Sequence, residues 1–271
     1  MQISIVIVAY NSKEILVQCL NSIKKYLSNE IKHEIIIVDN NSTEELKLSN
    51  FNKITIIRNE KHLGYSKAIN IGVKKTTGKY VLILNPDVYF TSSAIYEMFL
   101  YLKKNNNIGV VGCKVLDFKG LYQKYSMRRF PTFINILSYF FGSSKYYFKN
   151  YYNYDDLDKD NINCVDSVSG CCMMFKRKIF DKVNGFNESY FLYFDDTQFC
   201  LDVKKIDYNI IFNSNIVINH YGGASTKKIS YYYKNLLFFT SFLKFFFINI
   251  YQYKLFLINC ILLMLIILKI L

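Results

Sequence analysis

The chain has 271 residues, 51% hydrophobic and 20% charged, with 2 prolines and 11 glycines. That suffices for one large domain with a sizeable core and excludes a disordered, fibrous or multi-span membrane chain. The formal charge of +13, from 34 basic and 21 acidic residues, admits an anionic membrane surface or nucleic acid as partner. Nucleic acid is disfavoured because only Arg58, Arg128, Arg129 and Arg177 are arginines, and arginine is the residue that bidentate phosphate and base contacts prefer.

The seven cysteines (Cys19, Cys113, Cys164, Cys171, Cys172, Cys200 and Cys260) show no paired spacing. Neither a disulfide framework nor a CxxC zinc site is expected, and a reducing cytoplasm fits best. The opening MQISIVIVAYN has no basic n-region or small-residue cleavage site and does not read as a signal peptide.

In chain order, Ser4 to Ala9 is a β-branched apolar run suited to a strand buried on both faces. Asn11 with Glu14 resembles a capping box, and Ile15, Cys19, Ile23 and Leu27 continue at helical spacing. Glu34 to Val38, Ile54 to Ile57, Tyr80 to Leu84 and Gly109 to Val115 read as further strands. Lys67 to Lys75 reads as a helix, and Thr91 is placed to cap another with Ile95, Met98, Phe99 and Leu102 on one face. Strand and helix in alternation imply a parallel α/β sheet with right-handed crossovers and ligands beyond the carboxyl ends of the strands.

Phe130 to Asp160 shows no clean period and reads as an irregular excursion or a pair of short helices. Thereafter come the apolar stretch SGCCMMF, a helix at Lys176 to Val183, another at Asp196 to Lys205, and a strand at Asn209 to Asn219. The tail is apolar again. Leu236 to Ile250 carries one lysine, and Leu255 to Leu268 is uncharged for 14 residues, short of the ~20 that a simple span needs. A membrane-lying or re-entrant helix is the first expectation, with a buried helix, an oligomer contact or a true span as alternatives. Lys227, Lys228, Lys234, Lys244 and Lys254 are available to anionic headgroups.

Polar clusters follow three strands: Tyr10–Asn11, Asp39 to Ser42, and Asn85-Pro86-Asp87. Any one reads as a turn or a cap; three along one sheet edge read as a site. Proline stops the ladder at the third, and Asp87 supplies a hard oxygen ligand of the kind that Mg²⁺ or Mn²⁺ bridging phosphates requires. Asp195–Asp196 opens a helix, where the macrodipole favours ionised carboxylates. His220 precedes a Gly-Gly that allows close backbone approach to a phosphate, with Ser225 as a further donor.

These pieces occur in order over residues 3–226: VIVAYN, IIIVDNNST, LGYSKAINIG, GKYVLILNPDV, RRFPT, SGCCMMFKRKIFDKVNGFNESYFLYFDD and HYGGAS. The set resembles the family 2 glycosyltransferases of the GT-A fold, in particular their bacterial rhamnosyltransferase-like branch. The resemblance implies a Rossmann-like, mostly parallel sheet flanked by helices. Residues 1–226 would form the glycosyltransferase domain, with a donor half at about 1–117 and an acceptor half at about 118–226, and residues 227–271 an apolar helical tail.

It further implies donor binding by Tyr10, Asn11, Asp39, Ser42, Gly64, Asn70 and Asn85, and a Mg²⁺ or Mn²⁺ ion at Asp87 and His220. Arg128, Arg129, Gly170 and Ser225 fall on the acceptor or phosphate side. Asp196 is implied as general base and Asp195 as its neighbour. The expected reaction is inverting transfer from a dTDP- or UDP-sugar to a glycan or lipid-linked acceptor, at the inner face of the cell membrane, in cell-surface polysaccharide synthesis. Asn85 stands where the family's metal motif often has its first carboxylate, which leaves a non-catalytic nucleotide-sugar-binding homologue as the alternative. A basic nucleic-acid- or membrane-surface-binding protein is a further one.

Overall fold

The long apolar runs become the centre of one sheet. In the computed structural model, residues 2–28, 30–48, 51, 54–132, 154, 157–222 and 230–249 are described. Strand β1 (Ile3–Ala9) is buried at every position, as a parallel strand covered on both faces must be. It pairs in parallel with β2 (His33–Asp39) and β4 (Tyr80–Leu84), and β3 (Ile54–Arg58) extends the set beyond β2. β10 (Cys172–Lys176) then enters antiparallel between β4 and β6 (Ile108–Leu116). β11 (Asn209–His220) runs parallel to β6, and the two-residue β5 (Val88–Tyr89) pairs antiparallel with the far end of β11. The order across the sheet is β3-β2-β1-β4-β10-β6-β11-β5. β7 (Met127–Arg128) and β9 (Ser167–Val168) form a separate ribbon, and β8 (Asn163–Cys164) pairs with β11.

Alternation along β1 divides the core. Ile3, Ile5 and Ile7 face α1 (Lys13–Tyr26) and α3 (Ala94–Lys104), whose Leu16, Leu20, Ile23, Ile95, Met98 and Leu102 are buried with them. Val6 and Val8 face the layer of α2 (Tyr65–Lys74), α4 (Arg177–Lys182) and α5 (Asp195–Lys205). A third cluster joins Phe242, Phe245 and Phe246 of α6 (Tyr231–Asn249) to Tyr190 and Phe194.

The sheet is mostly parallel, as expected, and flanked by helices, but several local expectations change. The Asn11–Glu14 capping box does not form: Asn11 takes a left-handed φ of 48°, and the N-cap of α1 is Ser12, with no side-chain cap bond. Ser93, not Thr91, is the N-cap of α3, and its hydroxyl donates to Glu97 instead of to the backbone. α2 begins two residues earlier than its apolar spacing indicated, because Gly64 supplies the turn. The SGCCMMF stretch becomes the antiparallel β10; a strand buried on both faces reads the same in sequence whichever way it runs.

Most of the Phe130–Asp160 segment, Ser225, Lys227, Lys228, Lys254 and the Leu255–Leu268 run lie outside the described residues. Among the described residues no helix is long and apolar enough to cross a membrane.

Candidate functional site

Strands β1, β2 and β4 end at one edge, so the residues that follow them converge. Asn11 ties the first two loops together. Its side-chain oxygen accepts from the Thr43 N–H at 2.8 Å and from the Thr43 hydroxyl, and its own N–H donates to Ser42 Oγ. Asp39 closes β2 and is 1% exposed. One carboxylate oxygen accepts from the Ser42 N–H and the other from Arg58, both at 2.9 Å, while Arg58 also donates to the Ser42 carbonyl at 2.7 Å. A buried carboxylate needs such charge-assisted partners, and here they fix its position. Tyr10 packs edge-on against His62 at 4.5 Å, and His62 lies 5.0 Å from the Phe191 ring. Burial holds the His62 imidazole below its ordinary range, so it is a neutral aromatic wall at neutral pH.

Beyond β4, Asp87 and His220 meet. The antiparallel pairing of β5 with β11 sets Val88 opposite His220 and leaves Asp87 Oδ1 3.1 Å from His220 Nε2. His220 Nδ1 faces Gln123 Oε1 at 3.1 Å, while the Gln123 amide nitrogen donates to the His220 carbonyl at 2.8 Å. That amide orientation makes Nδ1 the protonated nitrogen. The Nε2 lone pair and a carboxylate oxygen therefore converge on one place. Mg²⁺ at phosphate sites takes one or two carboxylates and completes its shell with phosphate oxygens and water. The Asp87–His220 donor set fits that demand as a partial shell; among the described residues no cluster of three His, Cys, Asp or Glu groups forms a complete one. Asn85 accepts from the Tyr65 hydroxyl at 3.3 Å and turns its amide nitrogen toward His220 Nε2 at 3.5 Å.

The second acidic site rests on an unusual backbone. Tyr193 and Phe194 both lie in the left-handed region, with φ of 68° and 63°, immediately before α5 begins at Asp195. Both Asp195 and Asp196 are buried. Asp196 is fully engaged. Its Oδ2 accepts from the Arg128 guanidinium and from the Gly170 N–H at 2.8 Å, and its Oδ1 from the Thr197 N–H at 2.7 Å. A Cβ on Gly170 would come within 3.1 Å of Asp196 Cβ, so glycine permits this approach.

Asp195 leans on the backbone N–H groups of its own turn and on the more distant charge of Arg128. Burial, and then the charge of Asp196, push its carboxyl up to about 7. Tyr65 stands between the two acidic sites, its hydroxyl 3.3 Å from both Asn85 Oδ1 and the Gly170 carbonyl. Burial first, then the charges of Asp195 and Asp196, keep this phenol well above its ordinary range, so it stays a donor.

Not every expected residue reaches this cleft. Asn70 is occupied by the backbone of Phe186, donating to its carbonyl at 2.8 Å and accepting from its N–H at 2.9 Å, and donates also to Glu188. It ties α2 to the loop beyond α4. Arg129 stacks over the Tyr154 ring at 4.2 Å, and Gly64 serves as the φ +83° N-cap of α2, in contact with Phe191. Arg58, His62, Tyr65, Gln123 and Phe191 also lie in this candidate site, and the sequence reading did not select them. A cavity of about 250 Å³ lined by Tyr89, Phe118, Asn219, His220 and Tyr221 opens beside them.

The fold is that of the GT-A glycosyltransferases. A mannosyltransferase from Pyrobaculum calidifontis, solved with GDP-Man and Mn²⁺, aligns with a TM-score of 0.61 at 16% identity over 87% of this chain and 60% of its own. GalNAc-T7, solved with UDP, GalNAc and Mn²⁺, aligns with a TM-score of 0.60 at 15% identity over 81% of this chain and 43% of its own. The model of the family described as "Glycosyl transferase family 2" matches residues 4–183, about two thirds of the chain, and the chain belongs to that family.

Among curated relatives, the low-salt glycan biosynthesis hexosyltransferase Agl10 of Haloferax volcanii is 26% identical over 77% of this chain, which spans 63% of that protein's length. The N-acetylglucosaminyl-diphospho-decaprenol L-rhamnosyltransferase of Mycobacterium tuberculosis is 22% identical over 74% of this chain and 70% of its own.

Proposed function

We propose that the chain catalyses inverting transfer of a sugar, rhamnose or another hexose, from a dTDP- or UDP-linked donor to a glycan or lipid-linked acceptor in cell-surface polysaccharide synthesis. The observation that carries this reading is the pair of acidic sites facing each other across Tyr65. One suits a departing diphosphate and the other an arriving hydroxyl. The relatives support the acceptor class, since the mycobacterial protein is named for a diphospho-decaprenol-linked sugar.

Tyr10 and Asp39 then hold the nucleoside, with Asn11, Ser42 and Arg58 fixing the two loops. Asp87 and His220 would hold Mg²⁺ or Mn²⁺, which when bound offsets the charge developing on the departing diphosphate. Tyr65 donates toward Asn85 or Gly170 and keeps both sides in register. Asp195 takes the proton of the acceptor hydroxyl as it attacks the sugar from the face opposite the diphosphate. This reverses the roles expected from sequence, where Asp196 was the base. The support is that Asp196 must release Arg128, Gly170 or Thr197 before it can accept a proton, whereas Asp195, at about 7, is matched to neutral operation.

In this reading residues 1–226 are the catalytic unit, and residues 227–271 bring it to the inner face of the cell membrane. In support, Tyr232, Tyr233, Leu236 and Phe247 of α6 are exposed, and lysines flank them in the sequence.

Thermal shift with UDP, dTDP and GDP, each with and without Mn²⁺, tests the donor reading. A nucleotide at 100 times its dissociation constant adds about 2.7 kcal/mol to folding stability. A shift with UDP or dTDP that grows with Mn²⁺ is expected. No shift with any nucleotide, in a sample shown to be folded, would sink the reading.

A further inference from the structure

We propose that α6 is a clamp that holds the Asp195–Asp196 pair in working position, with Phe194 as the positioning residue on which it acts; this rests on the role given above to that pair. The Phe194 ring is 2% exposed and lies 5.2, 5.7 and 5.8 Å from the rings of Phe238, Phe242 and Phe245 on α6. Tyr193 packs edge-on to Phe238 at 5.8 Å. These two residues hold consecutive left-handed backbones, which residues with a Cβ adopt only when the surroundings over-determine them. The aromatic socket is that surrounding.

Polar contacts bracket the same loop. Ser241 Oγ donates to the Leu192 carbonyl at 2.7 Å, and Lys244 donates to the Ser189 carbonyl. On the far side of the pair, Asn249 donates to Gln198 Oε1 at 2.7 Å and accepts from Gln198 Nε2 at 3.2 Å. α6 therefore grips positions 189, 192 and 194 ahead of the carboxylates and 198 after them. From the inner side, the Phe191 carbonyl accepts from the Tyr65 N–H at 2.8 Å. With the outer grip released, residues 193 and 194 relax toward negative φ. Asp195 then swings out of the space it shares with Asp196, Arg128, Tyr65 and Tyr190, the charged and titratable groups that act on it or feel its charge.

The test compares Phe242→Ala with the conservative Phe242→Leu in the full chain. Amide exchange over residues 189–198 is expected to quicken about tenfold in Phe242→Ala, with strands β1 and β4 unchanged and Phe242→Leu close to wild type. The raised carboxyl titration of the Asp195–Asp196 pair, followed by carbon NMR, is expected to fall toward the ordinary range. Donor turnover is expected to drop about 100-fold with nucleotide affinity kept. Unchanged exchange at 189–198 would overturn the proposal, as would faster exchange with titration and turnover unmoved.

A wild-type chain that turns over no donor counts against the proposed function alone, because exchange and titration still judge the clamp. If Phe242→Ala does not fold, Phe194→Gly takes its place, since glycine accepts positive φ. It should lose turnover with the fold intact, and full turnover in that variant refutes the positioning role.

Discussion

Four of the 34 basic residues are arginine, and each is used where a planar fork or a flat cation is needed. Arg58 bridges Asp39 to the Ser42 carbonyl, Arg128 holds Asp196, Arg177 spans the Val73 and Thr76 carbonyls, and Arg129 covers Tyr154. In a lysine-rich chain that scarcity was a signal in the sequence, and it would have marked Arg58. Arg58→Lys loses the bidentate geometry and is expected to weaken nucleotide binding about 5- to 20-fold, near the strength of one charge-assisted hydrogen bond, with kcat little changed. Isothermal titration with the preferred nucleotide checks it.

The carboxylate pair gives the sharper residue-scale test. A base at about 7 makes turnover rise with pH through that value, and Asp195→Asn should lose that limb together with about 10²–10⁴-fold of rate. Turnover that survives in Asp195→Asn and is abolished in Asp196→Asn would return the base to Asp196. The same group has a stability signature. Asp195 keeps its proton to higher pH folded than unfolded, so its favourable contribution is full below about pH 4 and lost as pH rises to about 7. Asp195→Asn should therefore have a higher Tm than wild type at pH 8, an advantage that shrinks as pH falls toward 4. Asp196→Asn weakens the charge-assisted bond from Arg128 that Asp196 accepts and should lower stability by about 1–3 kcal/mol in urea unfolding.

At the scale of elements, α2 shows how one turn serves both fold and site. Gly64 has φ +83°, and a Cβ there would fall 2.8 Å from the Phe191 carbonyl. Gly64→Ala should cost about 2–4 kcal/mol through strain and overpacking and displace Phe191 from His62, read as a lower urea midpoint with weaker nucleotide binding. Strand and helix identities were legible because long apolar runs and helical spacing are local. Caps were not, because Asn11 found a stronger use across the strand ends in Thr43 and Ser42. The direction of β10 was hidden for another reason: no local residue records which neighbours a strand lies between.

At the scale of the whole molecule, the acidic landmarks Asp39, Asp87, Asp195 and Asp196, and His220, stood out in sequence because polar groups between apolar runs are conspicuous. Tyr65 and Gln123 did not, because each gains meaning only from a partner far along the chain, Gly170 for Tyr65 and His220 for Gln123. The net charge of +13 sets the expectation for the membrane reading. The full chain should sediment with vesicles rich in phosphatidylglycerol at low salt, and less so as salt shortens the screening length from about 30 Å at 0.01 M to about 8 Å at 0.15 M. Equal recovery with neutral vesicles would remove the electrostatic part of that reading.

The antiparallel strand between β4 and β6 also governs the order in which the protein is made. β4 ends at Leu84 and β6 at Leu116, yet the strand that joins them begins at Cys172. Until that stretch leaves the ribosome, the β3-β2-β1-β4 block keeps an unpaired edge at β4 and β6 has no strand partner, since its neighbours β10 and β11 both come later; such edges recruit other chains. At 5–20 residues per second the interval from Leu116 to Lys176 lasts about 3–12 s. The nascent chain thus passes seconds with its future centre open, and slower elongation across residues 117–171 is expected to lower the yield of folded protein, as read by soluble fraction after expression.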